Sequence, residues 1–247
     1  MPDALNSHFL VGLGVRGGGK HWTLSGGYFG NGLSDNDTRT SDGHSVAGRF
    51  TFAPVLHRSK VIHLGLAAEF RDLDSNSGFR ISARPESYAN STKLIDTGII
   101  NDASKVNTIG LEAAAMMGKL SLQGEYVAAT ATRDQGPEIT LDGGYVMASM
   151  FISGGHLRYR KSTGSFQGPR LKGKSGAWEV AARYSTLSLQ DQDVLGGKEQ
   201  NLTLGLNWYM NSHFRMMFNA VHAEASPNRA GADESVDILQ VRFQAAI

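Results

Sequence analysis

The stretch LTLGLNW at residues 202–208 decides the fold, because its residues change character at every second position. Three leucines and a tryptophan stand at the even positions, and Thr203, Gly205 and Asn207 stand between them. A period of two residues is typical of a β-strand with one apolar and one polar face. The segment LQVRFQAAI at 239–247 repeats the pattern. The sequence therefore predicts strands in this part of the chain.

Similar segments follow one another along the whole chain, and each ends in a cluster of Gly, Asp, Asn or Ser. We count about eleven, the last of which holds two strands. They lie near residues 6–15, 20–29, 44–53, 60–71, 105–117, 119–131, 140–152, 155–161, 176–189, 199–210 and 214–247. Two assignments stay open, since 155–161 is short enough to be a loop and EAAAMM at 112–117 also favours a helix by propensity. The pattern predicts an all-β protein built as an antiparallel meander.

The predicted connections alternate in length along the chain. Short ones are expected at 17–19, 57–60, 118–119 and 211–213. Longer, more polar ones are expected at 30–43, 72–104, 133–138 and 191–198. Short turns at one end and long loops at the other are typical of an outer-membrane β-barrel. We therefore predict that residues 1–247 form a single barrel domain with a long loop at 72–104.

Composition and motifs argue against several function classes. The formal net charge of +1 gives no basis for nucleic-acid binding, and the absence of cysteine rules out disulfides and thiolate metal sites. The eight histidines form neither an HExxH motif nor a close pair, and the glycine-rich stretch at 26–32 lacks the Lys and Ser/Thr of a phosphate loop. No apolar run approaches the ~20 residues of a membrane helix. We expect no metal, no cofactor, no nucleic-acid partner and no enzymatic activity.

The polar face of the predicted strands carries Arg and Glu too often for a packed core. Such groups are costly to bury, so this face is expected to meet water inside a barrel while the apolar face meets lipid. Aromatic residues near predicted strand ends suit the interfacial girdles of a membrane barrel, although they are also ordinary strand formers. They are Trp22, Tyr28, Phe29, Trp178, Trp208, Tyr209 and Phe214. We predict a transmembrane antiparallel up-and-down β-barrel.

Strand parity then assigns the residues that line the interior. The basic candidates are Arg49, Arg71, Arg158, Arg160, Arg183, Arg215 and Arg242. The acidic candidates on the same face are Glu69, Glu112, Glu125 and Glu179. The excess of guanidinium groups predicts a basic, water-filled channel that attracts small anions. The alternative is that individual arginines pair with the glutamates and brace the wall.

Several motifs resemble the phosphate-selective porin O and P family in their order and spacing. They are GRFTFAPV at 48–55, HLGLAAEFRD at 63–72, SARPES at 82–87, DTGII at 96–100, LSLQGEY at 120–126, GAWEVAARYSTLSL at 176–189 and GGKEQNLTLGLNWYMN at 196–211. The resemblance implies a sixteen-stranded barrel that assembles as a homotrimer in the bacterial outer membrane. It also implies passage of phosphate, polyphosphate or other small anions.

The chain is shorter than a whole member of that family, so we expect about ten to twelve of the sixteen strands to be present. Residues 1–15 lack the features of a secretory signal, and we expect the missing amino-terminal part to hold that signal, the first strands and the inward-folded loop that narrows the channel. Such a piece is expected not to conduct alone, because open sheet edges in lipid leave backbone groups unpaired. The alternative function is a structural or adhesive outer-membrane barrel whose long loops bind partners.

Overall fold

A computed structural model describes residues 2–5, 10–32, 42–74, 78–87, 92–172 and 175–246. Within these residues, every regular element after a 3-10 turn at Pro2–Leu5 is a strand. The strands are β1 (Leu10–Gly18), β2 (Trp22–Gly32), β3 (Asp42–Leu56), β4 (Lys60–Leu73), β5 (Ser82–Ala83), β6 (Ile95–Asp96), β7 (Ala103–Met117), β8 (Leu120–Arg133), β9 (Ile139–Phe151), β10 (Gly155–Arg160), β11 (Ser165–Leu171), β12 (Ala177–Asp191), β13 (Val194–Tyr209), β14 (Phe214–Ala225) and β15 (Glu234–Ala245). Within these ranges, no helix has the length and apolar character needed to cross a membrane.

Eleven of the strands form one antiparallel sheet, which we call the wall. Its order is β1-β2-β3-β4-β7-β8-β9-β12-β13-β14-β15, so each wall strand pairs with the next wall strand along the chain. The prediction of an all-β, antiparallel, up-and-down architecture is confirmed. EAAAMM at 112–117 lies within β7, where pairing with both β4 and β8 outweighs its helix propensity.

The two faces of the wall differ as predicted from the alternation. The outer face exposes large apolar side chains, among them Leu64 (48% exposed), Leu111 (52%) and Leu204 (55%). The opposite face buries polar residues such as Thr51 and Glu179. A water-soluble sheet would place these groups the other way round, so the arrangement suits a wall with lipid outside and water inside.

Besides the 3-10 turn at Pro2–Leu5, whose Leu5 is 2% exposed against β8 and β9, two segments of the described ranges pack on the polar face and define it as the inner face. The first, which we call the long segment, is the described part of residues 74–102 between β4 and β7 (74, 78–87 and 92–102), and it contains β5 and β6. Its residues Phe79, Ile81, Leu94 and Ile95 form an apolar cluster with inner-face residues of β8, β9, β12 and β14. The adhesive alternative named 72–104 as one example of a partner-binding loop, and the cluster residues of its described part are buried against the wall. Inward-folded structure is therefore present in the described part of this chain.

The second covering segment is the inner hairpin, β10 and β11 at residues 155–171, which pair with each other and not with the wall. The predicted segment 155–161 is thus a strand of a separate hairpin. At its far end the hairpin reaches β3, since Arg49 donates hydrogen bonds to the carbonyl oxygens of Thr163 and Gly164. The inner face is therefore crossed by chain at two levels.

The connections follow the predicted alternation with two exceptions. Short turns at 19–21, 57–59, 118–119 and 210–213 lie at one end, and the long segment, 134–138 and 226–233 lie at the other. The long connection predicted at 191–198 is wrong, because β12 and β13 pair as far as Asp191 and Val194 and leave a two-residue turn. The inner hairpin, in contrast, is a large insertion at the short-turn end. Much of the loop predicted at 30–43 lies outside the described residues.

Aromatic side chains mark the short-turn end of the outer face. Trp178 and Trp208 stack there with ring centroids 5.2 Å apart, and Trp22 and Phe214 are 43% and 42% exposed. Two other predicted girdle residues face inward. Phe29 pairs with the inner-face residue Ser45, and Tyr209 is buried with its hydroxyl donating to Glu179. Both lie one position out of phase with the outer-face residues of their strands.

Candidate channel lining

The seven arginines predicted to line the interior divide into two groups. Five lie on the inner face of the wall: Arg49 on β3, Arg71 on β4, Arg183 on β12, Arg215 on β14 and Arg242 on β15. The other two, Arg158 and Arg160, lie on the inner hairpin. Parity along a wall strand placed the first group, but it cannot place the second, because β10 is not part of the wall.

Arg49 is fully engaged in contacts with protein groups. Its Nε and Nη2 donate to the two carboxylate oxygens of Glu112 at 2.6 and 2.9 Å. Its Nη1 and Nη2 also donate to the carbonyl oxygens of Thr163 and Gly164 at 3.1 and 3.0 Å. A forked guanidinium–carboxylate pair of this kind is among the stronger hydrogen-bonded arrangements in proteins. Arg49 therefore braces the structure, as the alternative interpretation of the arginines predicts.

His63 extends this cluster towards the hairpin. Its ring is 4% exposed, and its Nε2 lies 3.4 Å from Glu112 Oε2. Its Nδ1 is hydrogen bonded to the hydroxyl of Tyr159 at 2.8 Å, and the Tyr159 ring packs edge-on against Phe166. The hairpin thus turns its aromatic side chains towards the wall.

Arg183 connects the wall with the long segment. Its guanidinium lies 4.0 Å from the centre of the Tyr145 ring, a cation–π contact, and its Nη2 lies 3.6 Å from Glu86 Oε1. Ser185 donates to the same Glu86 oxygen at 2.7 Å. Tyr145 in turn donates to Glu125 at 2.7 Å. Part of the Arg183 guanidinium therefore holds the long segment on the wall, and the rest faces the interior.

Four of the remaining arginines, Arg158, Arg160, Arg215 and Arg242, are compensated less by acidic groups than Arg49 and Arg183. Arg215 donates twice to the neutral amide oxygen of Gln244, and Arg158 donates to the carbonyl oxygen of Gly168. Arg160 and Arg242 are exposed, and no acidic side chain of the described ranges forms an ion pair with either. Arg71 is 8% exposed and lies beside the buried β7 residue Val106.

The inner hairpin presents a cationic face away from the wall. Tyr159 faces the wall, so its strand neighbours Arg158 and Arg160 point to the opposite side. Arg170, paired with His156 in the hairpin, is exposed as well. Burial lowers the pKa of His156, and the positive charges of Lys172, Arg170 and Arg58 lower it further. His156 is therefore neutral at neutral pH, and the arginines carry the charge of this face.

The inner-face acids are held by neutral donors as well as by cations. Glu179 is 5% exposed and accepts hydrogen bonds from Ser149, Asn207 and Tyr209 at 2.7, 3.0 and 2.9 Å. Glu125 accepts from Tyr145. These carboxylates lie at the wall and do not form ion pairs with the hairpin arginines in the described ranges.

A cavity of about 690 Å³ opens beside the long segment at the long-loop end. It is lined by three arginines and three aspartates, namely Arg80, Arg133, Arg229, Asp96, Asp102 and Asp193. Most of these charges are paired, since Arg80 binds Asp96 and Arg133 binds both Asp102 and Asp193. This rim of ion pairs fastens the end of the long segment to β8 and to the β12–β13 turn.

Comparison with known proteins places the chain in a family. A sequence model of the phosphate-selective porin O and P family matches residues 3–247, nearly the whole chain. The chain belongs to this porin family. It is 29% identical over 260 residues to an uncharacterized protein of Caulobacter vibrioides, covering 98% of this chain and 52% of that protein. It is 28% identical over 240 residues to Porin O of Pseudomonas aeruginosa, covering 84% of this chain and 55% of that protein.

The family implies a bacterial outer-membrane location. The chain spans about half the length of the curated relatives it matches. Among the described residues, no group of three or more His, Asp or Glu side chains is arranged to hold a metal ion.

Arg16 is a cation on the inner face of the wall that the sequence analysis did not predict. Arg16 on β1 pairs with Ser25, which pairs in turn with Arg49, so all three lie on the inner face. The signal was present, because Val11, Leu13 and Val15 alternate with Arg16 and are 50%, 86% and 81% exposed. Gly12 and Gly14 stand at the positions between these apolar residues, so the inner face of β1 shows few polar side chains in the sequence.

Proposed function

We propose that this protein forms part of an outer-membrane porin that passes small anions, phosphate and polyphosphate among them, by passive diffusion. The observation that carries the proposal is the cationic face of the inner hairpin, where Arg158 and Arg160 point away from the wall without acidic partners in the described ranges. Membership of the porin family supports it.

Guanidinium groups suit this task for physical reasons. Arg stays charged at every physiological pH, and its planar fork matches the oxygens of phosphate and carboxylate. A cluster of such groups in a narrow aqueous space raises the local concentration of anions. Because Arg160 and Arg242 are exposed to solvent, each site binds an anion weakly enough to release it.

The outer face supports a membrane environment for the proposed porin. Apolar side chains such as Leu204 and Val146 cover the outer face of the wall and are suited to contact with lipid. A homotrimer, as the family resemblance implies, would cover part of the same face. Chemical crosslinking of the protein in isolated outer membranes tests that assembly.

Ion selectivity tests the main proposal. We expect the reversal potential of the full-length protein in a KCl gradient to indicate anion preference, and we expect phosphate to reduce its chloride current. The double substitution Arg158→Gln and Arg160→Gln should shift the reversal potential towards cation selectivity. Lys119→Gln removes a positive charge from the short turn between β7 and β8 and should leave the reversal potential unchanged. Cation preference of the unmodified protein would refute anion passage.

A further inference from the structure

The inner hairpin is attached to the wall at two places of different chemistry. At its base, Leu157 and Leu171 pack against an apolar cluster of wall residues that includes Phe151. At its tip, the carbonyl oxygens of Thr163 and Gly164 accept hydrogen bonds from Arg49. The base is thus held by apolar packing next to the point where the hairpin leaves the wall, and the tip is held by a charged side chain of another strand.

The distance between these two attachments is large. The hairpin leaves the wall after β9, and its tip meets β3, which is four positions away in the sheet order. With neighbouring strands ~4.8 Å apart, the hairpin crosses roughly 19 Å of the inner face. A structure of this length that is fixed at one end depends on the contact at its other end for its position.

The Arg49 guanidinium is itself oriented by a carboxylate of the wall. Glu112 binds the guanidinium through both oxygens and also lies 3.4 Å from His63 Nε2. The tip closes over Thr51, which is 1% exposed, and a Cβ added at Gly164 would clash with the Thr51 hydroxyl. Thr51 is therefore a reporter of whether the tip lies on the wall.

We propose that Arg49 is the positioning residue that holds the hairpin tip on the wall, and that releasing this tip changes the width of the passage. Arg49 acts through the hairpin and not as an anion site, because its hydrogen bonds are directed to Glu112 and to the tip. The effect on ion flow rests on the proposed porin function. The effect on the position of the hairpin does not.

The absence of native cysteine makes thiol accessibility a clean test. A cysteine at Thr51, in the protein in isolated outer membranes, is exposed to a membrane-impermeant methanethiosulfonate reagent. We expect slow modification with Arg49 intact and a rate about tenfold higher or more with Arg49→Gln, since two charge-assisted hydrogen bonds to the tip are lost. An unchanged rate would overturn the proposal.

Two controls separate release of the tip from general loosening. Thr108→Cys lies on the inner face of β7 beside Val106, a member of the cluster covered by the long segment, and should stay protected when Arg49 is replaced. Arg242→Gln removes an inner-face guanidinium from β15 and should leave the Thr51→Cys rate unchanged. Equal acceleration in either control would overturn the proposal.

A second variant covers the case in which Arg49→Gln does not fold. Glu112→Gln keeps Arg49 but removes the carboxylate that orients it, and we expect an intermediate rise in the Thr51→Cys rate. No rise in this variant would count against the proposal.

Current recordings test the functional part. Arg49→Gln should increase fluctuations of the open-channel current, and a current as steady as that of the unmodified protein would contradict it. If the full-length protein with Arg49 intact carries no current, the porin proposal fails while the thiol result still decides the role of Arg49.

Discussion

Replacing Ile95 tests how the long segment is held on the inner face. Ile95 is 0% exposed and belongs to the apolar cluster between the long segment and the wall. Truncating a buried isoleucine to alanine costs about 2–5 kcal/mol, because it removes apolar contacts and leaves a cavity. Ile95→Ala should therefore raise the equilibrium constant for opening of the segment by roughly 30-fold to several thousandfold.

The same segment offers a matched control and a direct measurement. Ile99 is 54% exposed, so Ile99→Ala should change the stability of the segment by no more than about 0.5 kcal/mol. Hydrogen exchange reports the opening through the backbone amides of Phe79, Thr97 and Ile100, which donate to carbonyl oxygens within the segment. Equal loss of protection in the two variants would refute the packing of Ile95 as the cause.

Two further predictions concern the long segment and the hairpin. Burial raises the pKa of Asp96, but hydrogen bonds from Arg80 and from a backbone amide outweigh it and leave this pKa below its ordinary value. An unfolded aspartate titrates near about pH 4, so the Arg80–Asp96 pair stabilises the long segment above that pH. This stabilisation is lost as the pH falls through the lower pKa of Asp96 in the folded protein. Asp96→Asn should therefore remove the acid-dependent loss of amide protection. Gly164 has a φ of +56° and lies over Thr51, so Gly164→Ala should expose Thr51→Cys to thiol reagent, whereas Gly168→Ala should not, because a Cβ there meets nothing within 4 Å.

The wall could be predicted from the sequence because its information is local. Alternation at 202–208 assigns each side chain to a face without reference to any other strand. The same rule places Arg183 and Glu179 on the inner face. It fails at β10, where His156, Arg158 and Arg160 alternate as they would in a wall strand. Only the pairing of β10 with β11 distinguishes the hairpin from the wall. The two-residue alternation of a strand does not specify which other strand it pairs with.

The partners of the arginines could not be predicted for a related reason. Arg49 and Glu112 are 63 residues apart in sequence, and Arg49 and Gly164 are 115 apart. Both contacts depend on sheet register and on the inward course of the hairpin. The long segment posed the same difficulty, because Ile81 and Ile95 show their burial only when the wall residues beneath them are known.

These partners change which charges can favour anions. An arginine bound to a carboxylate contributes little net electric field. Arg49 and part of the charge of Arg183 therefore no longer count towards the excess of arginine over glutamate predicted from the sequence. Arg158 and Arg160 remain, and they lie on chain that crosses the inner face instead of on the wall itself. Screening reduces the field over about 8–10 Å at physiological salt, so a charge beside the ion path acts more strongly than one set back at the wall. Neutralising the hairpin pair should therefore shift selectivity more than neutralising Arg242 and Arg215 together, and the reverse order would place the ion path along β14 and β15.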